Sequence, residues 1–138
     1  MITLILLIAG CRGRSNRGEG NANSQISDTG KAVISFTEVE HNFGTVNEGE
    51  KVGCIFSFQN KGTGNLVINS ATASCGCTIP KYNRKPIPPG ITGTLEVVFD
   101  TSGKKGKQSK TIIVKSNATV PQTLLKITAE VTDNTNNK

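Results

Sequence analysis

Residues 52–59 read VGCIFSFQ, an alternation in which every second side chain, from Val52 to Phe58, is apolar. Successive side chains of a strand point to opposite faces, so this pattern predicts a β-strand with one buried face. From residue 31 onward, no stretch of the sequence has apolar residues at three- and four-residue spacing over three turns, as an amphipathic helix requires. The domain is therefore predicted to be all-β.

The same alternation recurs further along the chain. Leu66 begins another apolar run, and Gly or Pro residues separate the runs, for example at residues 86–90 and at Pro121. About seven short strands in about 100 residues predict an immunoglobulin-like β-sandwich over residues 32–132. A domain of this size buries enough surface to be stable without a disulfide or a metal. The further inward rows are Leu95, Val97 and Phe99; Ile112 and Val114; and Leu125, Ile127, Ala129 and Val131.

The N-terminus carries a short apolar run that ends at Cys11. Residues 2–10 are too few to cross a bilayer, which takes roughly 18 apolar residues. Residues 7–11, LIAGC, resemble the bacterial lipobox, which implies a signal peptide over residues 1–10 and lipid attached covalently to Cys11. No Lys or Arg precedes the run, so we expect the true start to lie upstream. The alternative is a buried N-terminal strand with an ordinary cysteine.

Residues 11–31 are predicted to form a flexible tether, because they are rich in Gly, Ser, Asn and Arg and poor in apolar side chains. Such a segment spans about 25 Å on average, so it would keep the domain close to the membrane. Residues 133–138 are predicted to be a disordered tail. No acidic cluster follows Cys11, which favours the periplasmic side. We expect a cell-envelope protein anchored in the outer membrane and facing the periplasm.

The net charge of +6 invites a nucleic-acid interpretation, but the distribution of the charges argues against one. Most of the basic residues lie in the tether, in residues 81–85 and in residues 104–110, and the chain has one tyrosine and no tryptophan. A groove for single-stranded nucleic acid places aromatic side chains among its cations. These charges are therefore interpreted as solvated loop residues, and no nucleic-acid partner is expected.

Five short motifs follow one another in the sequence: HNFGTV (41–46), GE (49–50), FSFQNKG (56–62), SCGCT (74–78) and PIPPG (86–90). Together they resemble a large family of bacterial lipoproteins of unknown function, whose domain is similar to the Hydin and major-sperm-protein type of immunoglobulin-like fold. The resemblance covers about residues 33–131 and implies the fold, export and membrane anchoring. It implies no reaction, because a fold alone does not define one. No enzyme activity and no cofactor beyond the lipid on Cys11 are expected.

Cys75 and Cys77 are the candidate site for thiol or metal chemistry. On an extended strand their Cα atoms would be nearly 7 Å apart, at the upper limit for a disulfide. Gly76 also permits a tight turn, in which the two sulfurs could form a bridge or hold a metal. A structural zinc takes four ligands, and only His41 and Cys54 remain, so Cu(I) is the favoured metal. No metal is assigned with this pattern alone.

The alternative is that the pair has only a structural role, in which Cys75 and Cys77 cap a strand end as buried small residues or stiffen the turn as a local bridge. If Cys11 is lipidated, three cysteines remain and at least one is unpaired or bonded to another chain. Cys54, on the inward row, is the expected unpaired thiol. The single histidine, His41, has no evident nucleophile or carboxylate partner and is expected to be structural.

Residues 82–90 are predicted to form the longest loop and a possible binding surface. Its prolines favour an extended backbone, and Ile91 lies beside it. A stiff, preformed loop loses little entropy on binding, and exposed edge strands could add β-augmentation. The alternative is that the prolines only shape a strand crossover. The candidate binding residues are Tyr82, Arg84, Pro86, Ile87, Pro88 and Pro89.

Two functions from different classes follow. The leading hypothesis is a membrane-anchored, non-catalytic immunoglobulin-like module that binds or positions another envelope protein. The alternative is a periplasmic thiol protein that binds Cu(I) or exchanges disulfides through Cys75 and Cys77.

Overall fold

The computed structural model describes residues 30–133, so the predicted signal peptide, Cys11, the predicted tether up to residue 29 and the predicted tail from residue 134 lie outside the described residues. Within them the chain forms two four-stranded sheets, with strand orders β1-β3-β6-β5 and β2-β8-β7-β4. No helix in this part of the chain could span a membrane. The strands are β1 (Ile34–Phe36), β2 (Glu40–Asn47), β3 (Lys51–Asn60), β4 (Ile68–Ala73), β5 (Thr78–Tyr82), β6 (Thr92–Asp100), β7 (Gly106–Ser116) and β8 (Gln122–Thr132).

The strand order is that of a constant-type immunoglobulin sandwich whose first strand is divided between the two sheets. β1 pairs antiparallel with β3, whereas β2 pairs parallel with β8. The crossing is secured by the Thr37 N–H, which donates to the Ser57 carbonyl at 2.9 Å, and by the Lys126 N–H, which donates to the Val39 carbonyl at 2.8 Å. The predicted β-sandwich is confirmed. It has eight strands rather than about seven because this division adds one.

The core lies between the sheets and is built from the alternating rows. Phe56 and Phe58 of β3 are 2% and 1% exposed, and the row of β6 from Leu95 to Phe99 is equally buried. Val52 and Cys54 continue the β3 row but are only partly buried. The predicted inward rows of β6, β7 and β8 are confirmed. Each fully buried side chain of this size contributes roughly 1.5–3 kcal/mol by leaving water.

Asn60, the last residue of β3, is a polar side chain with no exposed surface. Its Nδ2 donates to the carbonyls of Gly64 at 2.7 Å and Ile87 at 2.9 Å. Its Oδ1 accepts from the backbone N–H groups of Gly62 at 3.0 Å and Val33 at 3.3 Å. Burying a polar group costs free energy unless the group is hydrogen-bonded, and here both polar atoms of the Asn60 amide have two partners each. Asn60 thus joins the start of the domain, the turn after β3 and the proline-rich loop.

Candidate functional site

A groove lies where the loop of residues 83–91 connects β5 to β6, and it encloses about 720 Å³. Phe58 and Ile87 form its floor, since they line the groove and are almost fully buried. Prolines and polar residues form the sides. Those lining the sides are Lys81, Tyr82, Asn83, Lys85, Pro86, Pro88, Ile91, Thr92, Thr94 and Glu96.

Gly93 makes the close packing of this floor possible. It stands on β6, and a Cβ atom there would lie 2.5 Å from Cζ of Phe58 and 2.8 Å from Cδ1 of Ile87. Both distances are far below an ordinary contact of about 3.5–4.0 Å between carbon atoms. A side chain at position 93 would therefore force the Phe58 ring and the end of the Ile87 side chain to move.

Ile87 is not the surface contact that the sequence suggested. Leu66 and Ile87 exchange both of their backbone hydrogen bonds, at 2.9 and 2.8 Å, and Asn60 donates to the Ile87 carbonyl. These bonds draw Ile87 into the core, where it is 9% exposed, while Ile91 is 52% exposed. The candidate binding residue Ile87 is therefore mostly buried, at the floor of the groove. Tyr82 also differs from expectation, because it is the last residue of β5 rather than part of the loop.

The rim of the groove is positively charged. The Cζ atom of Arg84 lies 5.7 Å from the centre of the Tyr82 ring, a cation–π contact that places the guanidinium beside the groove. Lys81 is the register partner of Glu96 across β5 and β6. Within residues 30–133, neither Lys81 nor Lys85 forms an ion pair. Three cations therefore face one carboxylate, which favours a negatively charged ligand.

Cys75 and Cys77 are joined by a disulfide in the turn between β4 and β5, with their Cα atoms 5.3 Å apart. The backbone turns sharply here, since the Thr78 N–H donates to the Cys75 carbonyl at 3.3 Å. Of the alternatives that the sequence left open, the turned conformation with a bridge is the one present. While the bond exists neither sulfur is a thiolate, so the pair offers no ligand to Cu(I) in this state.

The ends of this turn are held by both sheets. The Ser74 N–H donates to the Thr111 carbonyl of β7 at 2.9 Å, and the Thr111 N–H donates to Ser74 Oγ at 3.2 Å. On the other side, the Asp100 N–H of β6 donates to the Cys77 carbonyl at 2.8 Å. Backbone hydrogen bonds therefore fix the corner on either side of the disulfide.

The two bonded sulfurs have different surroundings. Cys77 packs against the hydrophobic core. Cys75 Sγ instead lies 3.7 Å from the hydroxyl Oγ1 of Thr78, a residue that is only 4% exposed. Within the described residues, Cys75 is the side-chain partner of this buried hydroxyl. The hydroxyl is thus placed to interact with one sulfur of the pair.

Cys54 is the free cysteine of the described residues. Burial raises the pKa of its thiol to about 11, and the nearby Glu38 carboxylate acts in the same direction. At neutral pH this thiol is therefore protonated and a poor nucleophile.

His41, the other residue considered as a metal ligand, is partly buried on β2 and contacts the Phe43 ring edge-on at 4.7 Å between centroids. In residues 30–133, no three His, Cys, Asp or Glu side chains lie close enough together to hold a metal ion. The structure therefore does not bring His41, Cys54 and the Cys75–Cys77 pair into one centre.

Three residues that shape the site were given no role from the sequence: Asn60 and Thr78, which were quoted only as parts of the family motifs, and Gly93. Asn60 and Gly93 carry a signal in the alternation. Asn60 continues the inward row of Phe56 and Phe58, and Gly93 precedes the inward row of β6. A polar residue or a glycine in such a row marks a buried hydrogen-bonding centre or a close approach. Thr78 carries no comparable signal.

The fold places the protein among immunoglobulin-like and PapD-like β-sandwiches. It matches the PapD-like domain 7 of human CEP192 with a TM-score of 0.62 at 7% identity, covering 96% of this chain and 98% of that one. Residues 34–131 match the family described as protein of unknown function, DUF1573, and the chain belongs to this family. No curated protein matches the sequence.

Two bacterial structures share the fold. A protein of unknown function from Porphyromonas gingivalis W83 is 20% identical, with a TM-score of 0.65 over 79% of this chain and 51% of that one. The secreted serine protease VesC from Vibrio cholerae is 11% identical, with a TM-score of 0.56 over 79% of this chain and 25% of that one. The chain thus spans about half of the first protein and a quarter of the second. At these identities the likeness shows the fold alone.

Proposed function

We propose that the protein is a lipid-anchored cell-envelope module that holds an acidic, extended segment of another envelope protein in the groove beside the loop of residues 83–91. The observation that carries this proposal is a preformed groove with an apolar floor and a rim of three cations. Apolar walls with a few placed polar groups are typical of binding sites.

The loop is held before any partner arrives. Besides its bonds to Leu66 and Asn60, it is fixed at its far end, where Gln59 Nε2 donates to the Gly90 carbonyl at 3.0 Å and the Gly90 N–H donates to the Asn60 carbonyl at 2.7 Å. A loop that is already ordered does not have to lose its conformational entropy on binding. This supports a recognition surface rather than a mobile linker.

Groove binding is favoured over addition of a strand to the neighbouring edge. β5 is an edge strand, but Pro80 at its centre lacks a backbone N–H. A continuous ladder with an incoming strand would lose a donor there, and Lys81 adds a charge to the edge. Side-chain contacts in the groove are free of this restriction.

The acidic character of the partner follows from the charges on the rim. Exposed charge pairs contribute only about 0.2–1 kcal/mol each, so they act mainly on the rate and selectivity of association. The exposed apolar side chains of the groove, Pro86, Pro88 and Ile91, then supply the larger share of the affinity. The proposed role is binding without catalysis.

The anchor rests on the sequence around Cys11. Two acyl signals hold a protein firmly at a membrane, and a tether of about 25 Å would keep the groove near partners in the outer membrane, facing the periplasm. The direct test is Cys11→Ala, which we expect to move the protein from the membrane to the soluble fraction of the envelope. Membrane retention of this variant would contradict the proposed anchor.

The groove is tested by site-specific photocrosslinking of the full chain in living cells. A photoreactive residue at Asn83 lies in the groove, and one at Lys115 lies on the other sheet. We expect a discrete adduct from position 83 alone. The charge reversal Arg84→Glu/Lys85→Glu should reduce this adduct at least threefold.

The matched control is Lys107→Glu/Lys115→Glu, two exposed positions on β7 with the same change in net charge. This variant should keep the adduct of position 83. Equal losses in both reversal variants would show that net charge, and not the groove, attracts the partner. A captured protein without an acidic segment at the crosslinked position would also overturn the proposal.

A further inference from the structure

We propose that the Cys75–Cys77 disulfide is a thiol–disulfide exchange site that accepts two electrons from a protein dithiol of the envelope, with Cys75 as the sulfur that forms the mixed disulfide. This goes beyond the binding role of the groove. It rests on three observations at the corner between β4 and β5. The bridge closes a very small loop, its two sulfurs have different surroundings, and the turn that carries them is exposed to solvent.

The bridge adds little to the stability of the turn. The cysteines are two positions apart, so the bond closes a very small loop and removes little freedom from the unfolded chain. Ser74 and Cys77 are already tied to β7 and β6 by backbone hydrogen bonds. A bond that the corner does not need for its shape is available for chemistry.

The asymmetry of the sulfurs assigns their roles. Cys75 faces the Thr78 hydroxyl at 3.7 Å, whereas Cys77 packs against the core. In the reduced protein that hydroxyl can donate a hydrogen bond to a Cys75 thiolate and so stabilise it. Apolar surroundings favour the neutral thiol of Cys77 instead. Cys75 is therefore the exchanging sulfur and Cys77 the resolving one.

The turn is accessible to solvent. Gly76 is exposed, Cys75 and Cys77 are each partly exposed, and a Cβ atom built at Gly76 would meet no atom within 4 Å. A partner's thiol can thus approach the turn from the solvent side.

The exchange balances as follows. A thiolate of the partner attacks Cys75 Sγ, the bond between Cys75 and Cys77 breaks, and Cys77 leaves as a thiolate that takes up a proton. The second thiol of the partner, after losing its proton, attacks the partner's own sulfur in the mixed disulfide and releases the Cys75 thiolate, which is protonated in turn. The partner ends as a disulfide and the pair as two thiols. Two electrons and two protons have passed to the pair.

The first test uses the full chain with oxidised glutathione as the probe. Cys77→Ser leaves Cys75 free, and Cys75→Ser leaves Cys77 free. We expect the glutathione adduct at Cys75 to form at least ten times faster than the adduct at Cys77, as followed by intact mass. Cys54 serves as an internal control in both variants and should stay unmodified. Equal rates at the two positions, or a faster Cys77, would overturn the proposal.

The second test concerns Thr78 in the Cys77→Ser background. Thr78→Val removes the hydroxyl and should shift the pH profile of adduct formation at Cys75 to higher pH, while Thr78→Ser should restore the profile. If Thr78 had only a structural role, Thr78→Val would leave the pH profile unchanged, and that result would contradict the proposal.

A third measurement uses the unmutated protein, so that a misfolded variant cannot decide the result. Dithiothreitol should reduce the Cys75–Cys77 bond while the sandwich stays folded and Cys54 stays protected from alkylation. Reduction that occurs only together with exposure of Cys54 would show a structural bond and overturn the proposal. Exchange is read out at Cys75 and groove binding at position 83, so the two proposals fail separately.

Discussion

The inner strand β3 carries a free cysteine, whereas the two cysteines at the corner between β4 and β5 are bonded to each other. β3 is paired on both sides, by β1 and β6, and its Cys54 thiol is partly buried with a raised pKa. The corner joins two edge strands, and its Cys75–Cys77 pair is bonded across the exposed Gly76. Position in the sandwich, and not residue type, therefore decides which cysteines serve packing and which are bonded at an exposed turn.

The largest effect is expected at the centre of β3. Phe56→Ala should lower the free energy of unfolding by about 3–5 kcal/mol, because it removes a buried ring and leaves a cavity between the sheets. Urea unfolding measures this. The control is the adjacent Ile55→Ala, since Ile55 is 65% exposed and should change stability by about 0.5 kcal/mol or less. Similar losses for the two variants would refute the assignment of inward and outward rows.

Asn60→Ala should cost about 3 kcal/mol, because it strips hydrogen bonds from buried backbone groups of Gly64 and Ile87. It should also raise hydrogen exchange in residues 83–91 without changing exchange in β7. Urea unfolding and mass-detected exchange give the two readouts.

Asn117→Ala is the matched control for Asn60. Asn117 also bridges two segments through its side chain, accepting from the Val67 N–H at 2.8 Å and donating to the Asn65 carbonyl at 2.9 Å. These groups are exposed, so water can replace the lost bonds and the cost should stay below about 1 kcal/mol. If both variants were equally destabilised, burial would not be what makes Asn60 important.

At the corner the expected effect on stability is smaller. Cys75→Ala/Cys77→Ala should lower the free energy of unfolding by about 1.5 kcal/mol or less, because the closed loop is so short. Reduced, unmutated protein should have nearly the same stability as this variant. A loss above about 3 kcal/mol would show that the bridge mainly stabilises the fold, and the corner would then not differ from β3 in the role of its cysteines.

The sequence could predict features that depend on local alternation, but not features that depend on pairing between distant segments. Rows such as Leu95 to Phe99 depend only on alternation, and the structure confirms them. The bonded state of Cys75 and Cys77 was left open, because Thr111 and Asp100, which hold the turn, are far away in the sequence. The burial of Ile87 was missed for the same reason, since its partner Leu66 lies on another segment. Features made by pairing between distant segments are the ones that local pattern leaves undecided.

The smallest effect is the pH dependence of stability that Cys54 contributes. Its pKa is about 11 in the folded protein against an ordinary value of 9.0, so between these values the folded state binds the proton more tightly than the unfolded state. Stability from this group is complete below about pH 9 and is lost as the pH rises towards 11. The loss should be modest, because the thiol is only partly buried and solvent screens its charge.

Urea unfolding between pH 8 and pH 11 measures this loss. We would make the measurement in the Cys75→Ala/Cys77→Ala background, so that no disulfide can exchange with the ionised thiol. Only the difference between this background and the same chain with Cys54→Ala isolates the thiol. The stability advantage of the chain that keeps Cys54 should shrink across this range. Parallel curves would mean that Cys54 is as open to solvent as the corner, and the distinction between the two regions would not hold.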